Sequence, residues 1–146
     1  MHFYHNFVTF YFRLAVMHSE NYLANLASTL WRFREDDVFC DTTIAGSGGI
    51  ELMAHSVVLA AGSVKLCTVL NDGQPFEDVS GRKRYRLELA NADPSRLISV
   101  LKYIYTGELD ALASSFLTHE EQLDTQEICK ALGLNVSLEM SQELNR

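Results

Sequence analysis

At 146 residues, with 47% hydrophobic and 21% charged side chains, the chain has the size and composition of one packed globular domain and not of a disordered tail. Its formal charge of -7 opposes nonspecific attraction to a polyphosphate, so no direct nucleic-acid binding is expected, and the one basic run is Arg82, Lys83, Arg84 and Arg86. Three widely spaced cysteines, Cys40, Cys67 and Cys129, form no CxxC pair, which argues against a zinc module or a disulfide framework and for reduced thiols in a nuclear or cytosolic compartment.

The first stretch, Met1 to Val16, is rich in Phe and Tyr but is broken by His5, Asn6 and Arg13 and is too short to span a bilayer. Neither a signal peptide nor a membrane anchor is expected. Phe7 to Val16 is aromatic and β-branched enough for a strand, with nothing nearby in sequence to pair with, so it needs an edge elsewhere. Ser19 caps a helix running to about Phe33, in which Leu23, Leu26, Ala27 and Leu30 recur at helical spacing together with Trp31 or Phe33. A stripe this apolar must pack against something large.

Glu35-Asp36-Asp37 is a polar break, after which Val38 to Ala45 reads as a strand, Gly46 to Gly49 as a turn and Ile50 to Ala54 as the returning strand. Gly62 divides two short helices, His55 to Ala61 and Ser63 to Leu70, with Ser63 as N-cap and Asn71-Asp72-Gly73 as the stop. Gln74 to Gly81 reads as a loop, and Tyr85, Leu87 and Leu89 alternate with charged residues as in a half-buried strand. Asp93-Pro94 opens a helix whose buried side carries Leu97, Ile98, Leu101, Ile104 and Tyr105, and Gly107 ends it. Thr118-x-x-Glu121 and Asp124-x-x-Glu127 are both capping-box candidates; the second is favoured, with Gly133 as stop and a final short helix from Ser137. With no internal repeat, residues 1–146 read as a single domain: an arm at 1–17, a core at 18–140 and a tail at 141–146.

Nothing in this order carries catalytic chemistry. The neighbours His18-Ser19 and His55-Ser56 do not supply nucleophile, base and orienting group, and no Gly-x-Ser-x-Gly elbow is present. His2, His5 and His18 lack a cysteine or carboxylate at ligand spacing, so no metal or cofactor is expected. His55, where an apolar strand meets an apolar helix, is expected to face the core and be satisfied by a backbone hydrogen bond. Arg82 to Arg86 reads as the solvated face and lead-in of a strand, and Glu120, Glu121, Asp124 and Glu127 as a solvated helix surface.

Three strings in the same order resemble the BTB/POZ family: Cys40-Asp41-Thr42-Thr43-Ile44, Ala54-His55-Ser56-Val57-Val58-Leu59-Ala60-Ala61, and Tyr103-Ile104-Tyr105-Thr106-Gly107. The likeness covers about residues 7 to 140. His18-Ser19-Glu20-Asn21-Tyr22-Leu23 is similar to the helix start of the family's long form, typical of BTB–zinc-finger and Tramtrack-like transcription regulators. The resemblance implies an α+β fold, a helical cluster flanked by a small mixed sheet, in which the first helix packs on its symmetry mate and the first strand crosses to the partner's sheet. An orphan apolar strand and an over-apolar first helix are independently what an exchanged, isologous interface requires. The dimer interface is then expected from Phe10, Phe12, Leu14, Leu23, Leu26, Ala27 and Leu30.

Two departures from the family pattern bear on function. Members commonly carry Arg or Lys after the Ala-His pair, facing an Asp in a charged pocket at the dimer centre; here Asp41 meets Ser56, so a buried Asp41 must find hydroxyl, backbone or water partners. Cullin-binding members often show an apolar residue, any residue and Glu in the loop after the helix pair, and Phe76-x-Asp78 is an imperfect version. What the resemblance implies is therefore a non-enzymatic nuclear module, also compatible with the cytoplasm, that homodimerises or heterodimerises with other BTB proteins and recruits corepressors in a transcription regulator. A cullin-RING ubiquitin ligase adaptor and a channel-type tetramerisation domain are the alternatives.

Overall fold

The computed structural model describes residues 21–112 and 116–136. The expected strand at Phe7 to Val16, the Ser19 cap and the helix from Ser137 lie outside them. Helix α1 occupies 21–35 and is closed by a Schellman arrangement: Val38 N–H donates to Phe33 O at 2.8 Å and Asp37 N–H to Arg34 O at 3.2 Å, with Asp37 left-handed at φ 54°. This closure corrects the expected strand start. Val38 spends its amide on the helix end and Phe39 also turns left-handed, at φ 58°, so β1 begins only at Thr42.

Strands β1 (Thr42–Ala45) and β2 (Glu51–Ala54) form the expected antiparallel hairpin, Ile44 opposite Leu52. Helices α2 (Ser56–Gly62) and α3 (Val64–Asp72) follow, the second capped by Ser63, whose hydroxyl oxygen accepts from Leu66 N–H. Within the expected loop at 74–81 the structure has a strand, β3 (Phe76–Glu77), paired antiparallel to β4 (Lys83–Glu88) with Phe76 opposite Arg84. Two exposed residues leave no alternation to detect, which is why the sequence reading missed it. Strand β4 runs parallel to β1, Ile44 beside Leu87, and the mixed sheet has the order β2-β1-β4-β3. Lying between two neighbours, β1 is buried along its whole length.

Helix α4 (Pro94–Thr106) starts at Asp93, whose side chain accepts from Arg96 N–H, and ends at Gly107 with φ 71°. Leu97, Val100, Leu101 and Tyr105 are its buried residues; Ile98, expected inward, is 38% exposed, although it shares a helix side with Tyr105, which Trp31 and His55 cover two turns further on. Helix α5 (His119–Ala131) corrects the other helix expectation. Its capping box is Thr118 with Glu121: Thr118 Oγ1 accepts from Glu121 N–H at 3.2 Å and Glu121 Oε2 from Thr118 N–H at 2.8 Å. The helix therefore begins earlier than expected and leaves Asp124 on its exposed surface. Ile44, Leu59, Leu66, Leu97, Leu101, Leu112 and Ile128 form the centre of one core between sheet and helices. Gly62 lets α2 approach α4 closely, since a Cβ there would lie 2.7 Å from Ile104 Cγ2.

Candidate functional site

The loop between α1 and β1 feeds two neighbouring constellations. The first is polar. Asp41 precedes β1, and Ser56 opens α2 directly after β2, so the hairpin register brings them together. Ser56 N–H donates to Asp41 Oδ1 at 2.7 Å, Ser56 Oγ to Oδ2 at 2.6 Å, and Thr42 Oγ1 to Oδ1 at 3.1 Å. The carboxylate has the hydroxyl and backbone partners that the missing basic residue makes necessary.

Beside it, His55 Nε2 lies 2.8 Å from Val38 O and so carries the proton, which leaves Nδ1 to accept from the Tyr105 hydroxyl at 2.6 Å. Tyr105 in turn accepts from His55 N–H at 2.9 Å. His55 is thus a core residue with a backbone partner, as its place in the sequence implied. Cys40 Sγ lies 3.6 Å from His55 Nε2. Burial, reinforced by Asp37, pushes the Cys40 thiol up to about 11, and burial pushes Tyr105 up to about 12. A thiol held protonated in this way is a poor nucleophile.

The second constellation is apolar. On its inner side α1 is anchored by Trp31, whose ring meets Tyr105 edge-on at 5.6 Å, and by Arg34, buried 4.3 Å over the Trp31 ring with Nη1 donating to Met53 O at 3.3 Å. On its outer side Tyr22, Leu23 and Leu26 are 63%, 66% and 43% exposed and Leu30 is half-buried, while Ala27 lines a cleft with Trp31 against the end of α4. Phe39, 81% exposed at a left-handed backbone position, sets its ring against Phe33 at 6.0 Å and extends this face past the helix end. Sequence reasoning missed Phe39 by placing it in a strand. The available signal was Asp36-Asp37 directly before Val38-Phe39, residues that favour a turn.

Of the expected interface residues, Leu23, Leu26, Ala27 and Leu30 share α1, and Phe10, Phe12 and Leu14 lie outside the described residues. Phe76 is exposed on β3, but Asp78 is turned into its own hairpin. Its carboxylate accepts from Ser80 N–H at 2.9 Å, Ser80 Oγ at 2.8 Å, Arg82 N–H at 3.0 Å and Arg84 Nε at 2.9 Å. Arg84 first, then Ser80, hold it well below the usual carboxylate range. Among the described residues no group of three or more His, Cys, Asp or Glu could hold a metal, and no helix is long and apolar enough to cross a membrane.

A mixed sheet packed against a helical cluster, with an exposed apolar helix face beside a self-satisfied polar hub, defines a module built for contact with proteins. The BTB/POZ domain family profile matches residues 30–134, and the chain belongs to that family. Kelch-like protein 3 from Homo sapiens is 32% identical over 77 residues, 53% of this chain and 12% of that protein. Kelch repeat and BTB domain-containing protein 2 from Ectromelia virus (strain Moscow) is 25% identical over 97 residues, 66% of this chain and 16% of that protein. The chain thus matches less than a fifth of the length of these curated relatives. Among solved structures, the BTB domain of zebrafish PATZ1 superposes with a TM-score of 0.52 at 25% identity, covering 79% of this chain and 80% of that one. The BTB/POZ domain is a protein-interaction module and not an enzyme family.

Proposed function

We propose that this domain homodimerises, or pairs with another BTB protein, through the outer face of α1, and that in the dimer it recruits corepressors as part of a nuclear transcription regulator. The observation that carries dimerisation is the run of Tyr22, Leu23 and Leu26 on α1, continued by Phe39, all of them exposed and all but Leu26 mostly uncovered. Apolar residues repeated on one helix face and extended by an aromatic off its end are the pattern of an interface core. The long-form helix start at His18 to Leu23, and an arm carrying Phe10, Phe12 and Leu14 that would pair with a partner's sheet, support the transcription-regulator reading. Asp41 and Ser56 would then line the dimer centre as a version of the family's charged pocket in which hydroxyl and amide donors replace the basic partner.

A second reading, substrate adaptor of a cullin-RING ubiquitin ligase, is favoured by the exposed Phe76 on β3. Against it, Asp78 can offer its carboxylate to a partner only by giving up bonds inside its own hairpin. Sedimentation equilibrium of the chain, beside one begun at Met17, tests the proposal. A dimer weakened by the deletion is expected; a stable monomer at high dilution overturns dimerisation, and a tetramer or pentamer favours the channel-type alternative. Low-micromolar binding to a cullin N-terminal region by the intact dimer would move the assignment to the adaptor.

A further inference from the structure

The turn between β3 and β4 carries the sequence Asp78-Val79-Ser80-Gly81-Arg82-Lys83-Arg84, with Ser80 and Val79 exposed at its tip. Asp78 N–H donates to Arg82 O at 3.0 Å and Gly81 N–H to Asp78 O at 2.9 Å, so the backbone is closed before any side chain acts. The Ser80 hydroxyl donates to Asp78 Oδ1 at 2.8 Å and can turn out to solvent. Of the basic residues that follow, Arg84 pairs with Asp78, and Arg86 with Glu51 and Glu88. Arg82 and Lys83 are exposed and form no ion pair with any other described residue. Thr68, Ser95 and Thr106 are also exposed or half-exposed hydroxyls, but they sit on α3 and α4, tied to helix carbonyls or to a capping carboxylate, and a helical backbone cannot be drawn out into a catalytic cleft as a loop tip can.

We propose that Ser80 is a phosphoacceptor for a serine/threonine kinase that selects basic residues shortly after its target, and that the modification rewires the β3–β4 hairpin. In the transfer, Ser80 Oγ attacks the γ-phosphorus of ATP, the bond to the ADP oxygen breaks, and the hydroxyl proton passes to the kinase's catalytic carboxylate. The product ester has no proton to donate to Asp78. It places about -1.5 to -2 charges beside a carboxylate that is already ionised, a repulsion that turns the phosphate towards Arg82 and Lys83 and makes it compete for Arg84. Asp78 now holds the tip through four hydrogen bonds, so losing Ser80 and drawing off Arg84 loosens the strand that presents Phe76. The inference is independent of which face dimerises.

Incubating the full chain with ATP and such a kinase, and locating phosphate by fragment mass spectrometry, tests both halves. Modification at Ser80 is expected, absent in Ser80→Ala, with kcat/KM lower by roughly tenfold or more in the double variant Arg82→Ala/Lys83→Ala, the worth of one charge-assisted contact. The modified chain should also exchange its Arg82 amide proton faster, since its acceptor, the Asp78 carboxylate, is no longer held in place by the Ser80 hydroxyl and Arg84. An unmodified Ser80, or a rate indifferent to the double substitution, overturns the acceptor assignment. A phosphorylated Ser80 with an equally protected Arg82 amide overturns the rewiring.

Discussion

The polar hub of Asp41, His55 and Tyr105 and the outer face of α1 lie on either side of one short loop, yet one is complete within a single chain and the other is not. In the hub the carboxylate, both imidazole nitrogens and the phenol each have a partner within the chain at 2.6 to 3.1 Å. On α1, side chains as large as Leu23 and Tyr22 stand mostly in water. The difference reflects what each kind of group costs when unpartnered. A buried polar atom without a partner costs about 1–3 kcal/mol at once, so the hub must be finished before the chain is folded. Apolar surface costs about 25 cal/mol per Å² left uncovered and can wait for a partner. Ser56 gives Asp41 two of its partners within the chain.

That division of labour is broken most sharply by substitutions on α1. Leu26→Asp with Phe39→Asp should raise the dimer dissociation constant on the order of 1,000-fold, the loss of two anchors of about 2 kcal/mol each, measured by sedimentation equilibrium. Should the double variant associate as tightly as the native chain, α1 is not the seam. Tyr105→Phe acts on the other region. It orphans His55 N–H and Nδ1 and should cost about 2–4 kcal/mol in urea unfolding while the dimer constant, read without urea where both chains are folded, stays put. The hub also has an alkaline signature. With Cys40 at about 11 when folded and near 9 when unfolded, the folded chain binds more protons between those values. Stability should therefore fall as pH rises from about 9 to about 11, and Cys40→Ala should flatten that part of the profile. Ser56→Ala removes one of Asp41's three bonds but keeps the backbone donor, so about 1–2 kcal/mol is expected by denaturant titration.

How much of this was legible follows the same line. Periodicity found α4 and most of its buried residues because thirteen residues repeat one stripe, and the Asp93-Pro94 and Gly107 boundaries have local stereochemical causes. The pairing of Asp41 with a hydroxyl and backbone could be argued beforehand, since a half-buried carboxylate facing Ser56 has few other options. Distance in sequence hid the rest. Tyr105 lies 50 residues from the imidazole it completes, and no pattern in either segment announces the bond. Asp78 looked like a residue offered outward, but four donors within six positions draw it inward, a matter of turn geometry that composition does not encode. Phe39 was hidden by a helix closure that uses Asp where glycine is the usual signal.

The smallest expected effect falls on the loop that joins the two regions. Asp37 holds φ 54°, a conformation that glycine adopts without a Cβ penalty and aspartate only with one. Its side chain is exposed and takes part in no ion pair with a described residue, so Asp37→Gly removes that strain, a negative charge near Cys40 and the hydrogen bond between the Asp37 carboxylate and the Cys40 thiol. The strain relieved and the extra freedom given to the unfolded chain oppose one another, and the net gain should be no more than about 0.5–1 kcal/mol. Denaturant unfolding at neutral pH measures it. If closure of α1 and presentation of Phe39 are separate matters, the dimer constant will not move, because Val38 N–H still reaches Phe33 O and the ring still rests on Phe33. A stabilised chain that dimerises more weakly would show instead that the left-handed turn at Asp37 aims Phe39, and that hub and interface are coupled through residues 36–41.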